Sequence, residues 1–526
     1  MVFSGKMQRI KMKNLFKKIK NLRPEVWLIL IIVFALFLRM WFFVGIGFND
    51  DSYYLEYADE IYKGNNFIPP EFVHWGIRIG VYLPVVFFWK LLGISEFSTS
   101  LFFLLISLGS ILITYLIGKE LFNKKIGLIS AFLLSIFPLD VIYSTQVGPD
   151  VPFQFLFILS LFFLINSEKN TNEKKARIYI FLSGLVLGLS YLFKELIPIL
   201  LFVLAFYIIW NDKLNKRELI CIFKKESLIK YGFFILGFFL IFFLQNLYFY
   251  SITEEMFYGE KVRQYAFTHD LNSNSDLWMY PLYMLNMDKG RFEWVHSKPL
   301  FGFMYYFVIL SVIYHLFKRK LKSILFPIIW LLVIFLFLEY GLHFICTEIF
   351  DYCLHPRHNR FLIPLSIPAV IIISRFLNFD KTFFKKAVSI IGIIFLFSTS
   401  IYYIRQSHIF LRNGMGYVRE TVNYLETLPP KPIYVPDSWT ISKFKFFSKY
   451  DEDFVNSLKV YADYENEFSI HDAYVVVELN PYTYINKYNY PDFMLHPPKN
   501  WILMKNITSQ TIGIFSKFNP KIYYVP

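Results

Sequence analysis

Long apolar runs separated by short basic clusters set the pattern of this chain as far as Ile404, and a polar, tyrosine-rich stretch follows. The first run, Val26 to Ile46, has about the 20 residues that a helix needs to cross a hydrocarbon layer roughly 30 Å thick. Val81 to Leu92 is too short to cross and holds Pro84 and Lys90, so it reads as an interfacial or re-entrant segment. Crossings are then expected at Phe97–Ile117, Ile126–Ile142, Val151–Ile165, Ile178–Phe193, Leu196–Trp210, Tyr231–Tyr250, Leu300–Phe317, Ile324–Tyr340, Phe361–Phe376 and Ala387–Ile404, eleven in all with the first. Orientation follows from Lys and Arg, which gather in cytoplasmic loops. Residues 6 to 23 carry Lys6, Arg9, Lys11, Lys13, Lys17, Lys18, Lys20 and Arg23 and no acid, which puts the N-terminus in the cytoplasm. The same scheme places Lys119/Lys124/Lys125, Lys169/Lys174/Lys175/Arg177, Lys213/Lys216/Arg217/Lys224/Lys225, Lys318/Arg319/Lys320/Lys322 and Lys381/Lys385/Lys386 inside. Counting Val81 to Leu92 as a crossing would invert every one of them.

After Ile404 no run is long enough to span. Helical spacing in Gly416–Leu425 (Val418, Val422, Leu425) and short β-rich runs at Pro432–Val435, Ala473–Leu479 and Thr511–Phe515 predict a small α/β module. The expected organisation is a basic cytoplasmic segment (1–25), an α-helical polytopic membrane domain of about eleven transmembrane helices (26–404) and an extracytoplasmic α/β domain (405–526). No internal repeat is visible, which argues against inverted-repeat transporters.

Composition agrees: 56% of residues are hydrophobic, Phe alone numbers 62, charged residues make up 18%, and mean hydropathy is +0.43. A net charge of +14 raises the question of nucleic acid, but the basic residues sit between apolar runs as loop charges do, and nucleic acid is rejected. Cys221, Cys346 and Cys353 define no disulfide framework, although the last two share one expected outer loop and are close enough in sequence to pair. The basic N-terminus leads into a full-length span with no small-residue cleavage site, so the first span is expected to stay attached. Asn506-Ile-Thr508 is a short glycosylation sequon on the expected outer side.

On that outer face the ionisable residues converge. Asp50 and Asp51 follow the first span, and Asp150 stands between the third and fourth crossings. Lys194 and Glu195 form the turn of a tight hairpin, and Arg357, His358 and Arg360 precede the tenth crossing. Carboxylates and cations at one interface suit a reaction in which a carboxylate deprotonates an acceptor while cations hold a departing lipid phosphate. Each residue also has a plainer reading. Asp50 and Asp51 fit solvated helix-exit residues, Asp150 fits a helix N-cap beside Pro149 and Pro152, and Lys194 fits a snorkelling lysine with Glu195 as its partner. Arg357 and Arg360 fit anchors on lipid phosphates. His343, His355 and His358 with Glu348 and Asp351 form a His-rich stretch whose spacing matches no standard metal site.

The order of these motifs resembles the polytopic glycosyltransferases that use polyprenyl-phosphate sugars, the GT-C type that includes dolichyl-phosphate-mannose protein mannosyltransferases and aminoarabinose transferases acting on lipid A. The likeness covers most of the membrane domain. It rests on Asp50-Asp51-Ser52-Tyr53-Tyr54 with Ala58 and Gly64, on the run from Gly93 to Pro138, on Asp150, on Gly184 and Gly188 in a span ending at Lys194, and on Arg360-Phe361-Leu362-Ile363-Pro364. The resemblance implies a membrane glycosyltransferase that moves a sugar from a polyprenyl-phosphate donor to a protein, lipid or glycan acceptor, with inversion. It implies Asp50 as general base, Asp150 as a positioning group, and Lys194 and Arg360, with Arg357 beside them, on the donor phosphate. Tyr53, Tyr54 and Glu195 join the positioning set. Asp51 stands where Glu is frequent in the family, which leaves open which carboxylate acts. His74-Trp75-Gly76-Ile77-Arg78 replaces the family's usual proline-containing loop and adds His74 and Arg78 as candidates. No nucleotide-binding loop is present, no cofactor is required, and a divalent metal is optional. Two rival classes remain: a transporter or flippase for a lipid-linked or polar substrate, whose ionisable groups belong at the midplane instead of one face, and a membrane scaffold whose outer module binds a partner.

Overall fold

A computed structural model describes residues 23–47, 50–70, 74–214, 225–269, 279–285, 301–340, 358–378, 383–461, 470–477, 497–507 and 520–526. Cys346 and Cys353, Arg357, Thr508 of the sequon, the 511–515 run, and all of the His-rich stretch except His358 lie outside the described residues.

In chain order the helices are α1 Pro24–Trp41, α2 Asp51–Tyr62, α3 Ile79–Leu92, α4 Glu96–Leu121, α5 Lys124–Ser135, α6 Pro138–Tyr143, α7 Asp150–Lys169, α8 Glu173–Tyr191, α9 Ile197–Leu214 and α10 Lys225–Thr253. They continue with α11 Tyr258–His269, α12 Met279–Met284, α13 Met304–Phe317, α14 Leu325–Tyr340, α15 Ser366–Phe376, α16 Phe383–Gly414, α17 Gly416–Leu425, α18 Ser438–Phe447 and α19 Glu452–Ser457. Every expected crossing overlaps a helix, although the first helix ends at Trp41, short of Ile46, and Phe361–Leu365 is a 3-10 turn. By length and composition, seven helices among the described residues can cross a membrane. α9 and α13 are apolar but shorter, and the Ile126–Ile142 run is not one helix. It ends at Ser135 and restarts at Pro138, because proline has no N–H to give the helix and is accommodated at the first position of a new one. α3 is likewise apolar and short, at 14 residues the same length as α13, so length alone does not separate the segment read as interfacial from an expected crossing.

Local chemistry sets the helix starts. Ser95 and Ser98 cap α4 reciprocally, Asn123 caps α5 and Asn172 caps α8, each satisfying amide N–H groups that a helix leaves unpaired. α8 and α10 pack closely along Gly184 and Gly188. A β-carbon on Gly184 would lie 1.9 Å from the Phe234 carbonyl oxygen, so only glycine permits this approach.

The C-terminal part is a five-stranded sheet in the order β2-β1-β3-β5-β4, with β1 Ile433–Val435, β2 Leu458–Val460, β3 Ala473–Val477, β4 Ile502–Asn506 and β5 Lys521–Val525. β1 pairs in parallel with β2 and β3, and β5 runs antiparallel between β3 and β4. Alternation along the strands fills both faces. Ile433, Val435, Tyr474 and Val476 pack with Val418, Val422 and Leu425 of α17, while Tyr434, Val475 and Val477 pack with Trp501 on the other side. α18 ties this module to the membrane helices. Phe446 and Tyr450 belong to the membrane-domain core, and both rings lie against Trp89 of α3, at 6.4 and 5.8 Å.

Candidate active site

Five segments distant in sequence meet at one end of the bundle: the start of α2, the turn before α3, the start of α7, the α8–α9 loop and the turn before α15. Asp50 is the N-cap of α2, but its carboxylate does not cap the helix. It turns to Arg360, whose Nη2 donates to Asp50 Oδ2 at 2.5 Å. Arg360 stands in a 3-10 turn, Asn359–Leu365, whose position is fixed by Gln154 of α7 donating to the Ile363 carbonyl at 2.9 Å and to Ser366 Oγ at 2.7 Å. Arg360 Nε faces Asp150 Oδ2 at 3.7 Å, is buried, and has no hydrogen-bond partner. Asp150 binds Lys194, with Nζ to Oδ1 at 2.5 Å, and the ammonium also sits 3.9 Å from the centre of the Phe361 ring.

The two halves of this cluster are linked through the α8–α9 loop. Gly80 of α3 lies so close to Phe193 that a β-carbon there would come within 2.7 Å of the ring, which fixes the residue before Lys194. Arg78 forms a fork on Glu195, at 3.2 Å from Nε and 2.9 Å from Nη2, and donates from Nη1 to the Tyr54 hydroxyl at 3.2 Å. Tyr53 stacks on Trp75 with ring centres 5.1 Å apart. His74 opens the short turn that contains Trp75.

The plainer readings of the hairpin therefore fail. Lys194 does not snorkel to the interface but is buried, and its partner is Asp150. Glu195 pairs with Arg78 instead. The two carboxylates after the first span differ in environment. Asp50 is part-exposed. Burial opposes its charge, yet the Arg360 guanidinium, with His358 and Arg78 behind it, prevails and holds the carboxyl below its ordinary range. Asp51 is buried, and burial pushes its carboxyl up against the pull of Lys443. Burial lowers Lys194 against the pull of Asp150.

Sequence reasoning missed four residues here. Arg263 of α11 lies 3.8 Å from Glu195 and 2.6 Å from Glu260, and Tyr191 donates to Glu260 at 2.8 Å. Lys443 of α18 reaches Asp51 from nearly four hundred residues away in sequence. Nothing in the local sequence signals where this lysine goes. Among the described residues, no group of three His, Cys, Asp or Glu side chains is placed to hold a metal ion.

Residues 80–249 match the family model described as dolichyl-phosphate-mannose-protein mannosyltransferase. An uncharacterized protein of Aquifex aeolicus is 26% identical over 131 residues, and that match spans about a quarter of either chain, 23% of this one and 26% of the relative. Likeness in structure extends further. ArnT from Cupriavidus metallidurans superposes with a TM-score of 0.57 in its apo state, at 12% identity, covering 95% of this chain and 98% of ArnT. The same protein bound to undecaprenyl phosphate gives 0.55, covering 94% and 97% at 12% identity. The Archaeoglobus fulgidus oligosaccharyltransferase in complex with Zn and sulfate gives 0.52 at 14% identity, covering 95% of this chain and 74% of that one. The protein thus shares the fold of ArnT and of the oligosaccharyltransferase, and its residues 80–249 match the family model described as dolichyl-phosphate-mannose-protein mannosyltransferase.

Proposed function

We propose that this protein is a membrane glycosyltransferase that moves a sugar from a polyprenyl-phosphate donor to an acceptor hydroxyl or amine on a protein, lipid or glycan. The observation that carries the reading is Arg360. It is buried and charged, is held between Asp50 and Asp150, and its Nε is free of any hydrogen bond. An unsatisfied guanidinium edge beside two carboxylates is a place for an anion to enter. The undecaprenyl phosphate of the ArnT complex supports the lipid-phosphate class of donor.

In this scheme the sugar–phosphate oxygens take Arg360 and Lys194, and Arg360 turns from Asp50. Released from its ion pair, Asp50 becomes a stronger base. It accepts the proton of the acceptor hydroxyl or amine as that oxygen or nitrogen bonds to the anomeric carbon. The bond from that carbon to the phosphate oxygen breaks on the opposite side, and polyprenyl phosphate departs with its charge balanced by the two cations. The configuration inverts. Asp51, Arg78, Glu195 and Tyr54 hold the pieces in place, and the Tyr53–Trp75 stack offers an aromatic wall to the sugar. Arg357 and His74 remain candidates for the donor phosphate and for positioning. The site faces outward, with the N-terminus cytoplasmic and the C-terminal module outside. Neither nucleotide nor metal is needed for these steps; a divalent ion that assists would be read as loss on chelation and return on resupply.

The test is transfer by the purified full chain in detergent, supplied with polyprenyl-phosphate sugars and surface-glycan acceptors, with Asp50→Asn beside it. Acceptor-dependent release of polyprenyl phosphate by the wild type and not by the variant is expected. Movement of the lipid-linked sugar across vesicles without cleavage of its phosphate bond would replace the reading with transport.

A further inference from the structure

The residue that settles how the two carboxylates differ comes from the C-terminal module. Lys443 lies in the middle of α18, and its side chain is fully buried. Its ammonium donates to Asp51 Oδ1 at 2.5 Å and to the Gly47 carbonyl at 2.7 Å. The Gly47 N–H in turn donates to Asp51 Oδ2 at 2.6 Å. Gly47 ends the chain leaving the first membrane helix, and Asp51 opens α2, so these three bonds close a loop around the peptide that carries Asp50. Neighbouring contacts point the same way. Ser442 donates to Glu56 at 2.7 Å, Lys445 stands 3.5 Å from the same carboxylate, and Phe446 and Tyr450 pack on Trp89. α18 is seated along α2 by polar and apolar contacts together.

A lone buried lysine is a poor way to gain stability, because desolvating two charges consumes most of what their attraction returns. Its retention here has a geometric consequence. Asp50 is one residue from Asp51, and its aim at Arg360 depends on the first turn of α2 being held against Gly47. We propose, resting on the transferase reading above, that Lys443 is a positioning residue for the transfer reaction: it staples Asp51 to Gly47 and so fixes the direction of Asp50, which makes the C-terminal module a working part of the catalytic centre.

The test uses the chemistry of the staple. Lys443→Met leaves Asp51 buried with the Gly47 and Ser52 N–H groups as donors but without a cation. In its protonated form Asp51 can donate to the Gly47 carbonyl in place of the lysine and still accept from the Gly47 N–H. In its ionised form it cannot, and it repels Asp50. The charges around the pair are Asp50 and Glu56 on α2 and Lys443 itself, with Arg360, His358 and Arg78 facing Asp50 from the turns before α15 and α3. A buried carboxyl that has lost its cation has its midpoint raised, so the staple holds below that midpoint and fails as pH rises through it. The second variant, Asp51→Asn/Lys443→Met, replaces the staple by a neutral one: the amide nitrogen donates to the Gly47 carbonyl and the amide oxygen accepts from its N–H, while the bond that Oδ1 accepts from the Ser52 N–H is given up.

Full-length variants are compared in detergent at pH 5.5 and 8.5 for kcat, donor KM and thermal unfolding midpoint. Lys443→Met is expected to lose at least tenfold in kcat at pH 8.5 relative to pH 5.5, after correction for the wild type, with donor KM changed less than threefold and the unfolding midpoint falling over the same interval. The double variant should lose the pH dependence and regain most of the kcat at pH 8.5. A Lys443→Met protein with the wild-type pH profile, or a double variant no better than the single one, would overturn the proposal. The unfolding midpoints need no turnover: if they follow the expected order while the wild type transfers no sugar, the staple stands and the transferase reading falls.

Discussion

Removing the ammonium of Lys194 separates a structural from a functional role for the cation, because its partner can be removed with it. Lys194 and Asp150 form a buried pair, N to O at 2.5 Å, with both side chains under a tenth exposed. Deleting one member of such a pair leaves an uncompensated charge and costs about 3–5 kcal/mol. Arg360 Nε, 3.7 Å from the other oxygen of Asp150, supplies partial compensation. Lys194→Met is therefore expected near the lower end, about 3 kcal/mol. Asp150→Asn/Lys194→Met removes both charges and keeps two side chains of similar volume, and its cost should fall to about 1 kcal/mol. The double-mutant cycle then gives a coupling of roughly 2 kcal/mol or more in equilibrium unfolding from mixed detergent–SDS micelles. Donor binding should move differently. A lipid phosphate needs a cation in either background, so affinity and initial rate should stay low in the double variant although stability has returned. Recovery of donor affinity and turnover together with stability would refute the phosphate role and leave Lys194 as the partner of Asp150 alone.

Asp50→Asn should lower the transfer rate by about 10² to 10⁴, the usual loss for a positioned base, with insertion and donor binding retained; single-turnover assays on the purified variant check it. In the unliganded protein Arg360 depresses the Asp50 carboxyl, so its contribution to stability should be present above about pH 3.9 and lost as pH falls through the lowered value, and Arg360→Ala should move that loss upward by about one to three pH units in acid unfolding curves. Gly184→Ala places a methyl against the Phe234 carbonyl oxygen and should destabilise the α8–α10 pair by about 1–3 kcal/mol, enough to reduce the yield of folded protein on size-exclusion chromatography. Cysteines at the exposed positions Asn65 and Glu452, in a background without Cys221, Cys346 and Cys353, should both react with an impermeant thiol reagent in intact cells; protection of either refutes the outward orientation.

The membrane domain was legible because lipid imposes a one-dimensional code. Each span must be long, apolar and helical, so hydropathy alone locates it. The code failed at Ile126–Ile142, where composition stays apolar through a break that only the missing N–H of Pro138 explains. In the C-terminal part, Gly416–Leu425 and the cores of β1 and β3 were legible from periodicity. β2, β4 and β5 were not: they carry charged or polar residues (Lys459; Lys505 and Asn506; Lys521) where β1 and β3 are wholly apolar or aromatic, so their pairing comes from the sheet and not from their own pattern. The convergence of Asp50, Asp150, Lys194 and Arg360 was also legible, since topology puts the ends of alternate helices on one face. The pairing among them was not. Charge order along the chain suggests Lys194 with its neighbour Glu195, yet consecutive residues in a turn point apart, and each finds a partner more than forty residues away.

That separation explains why two adjacent aspartates take different parts. Residues at the N-cap and the first position of a helix project in different directions, so Asp50 faces the turn that carries Arg360 while Asp51 faces back toward the membrane exit at Gly47. The electrostatics follow from where each one points. Asp50 meets fixed guanidinium groups, keeps part of its exposure and stays ionised, as a base must. Asp51 meets an apolar surround and a single ammonium from another part of the chain, and burial drives both of its pair toward their neutral forms. Such a setting suits a latch better than a base, because the two oxygens of Asp51 are committed to three donors, the Gly47 N–H, the Ser52 N–H and the Lys443 ammonium. What sets the surroundings of the two carboxylates apart is α18, an element that motif reading assigns to a different domain.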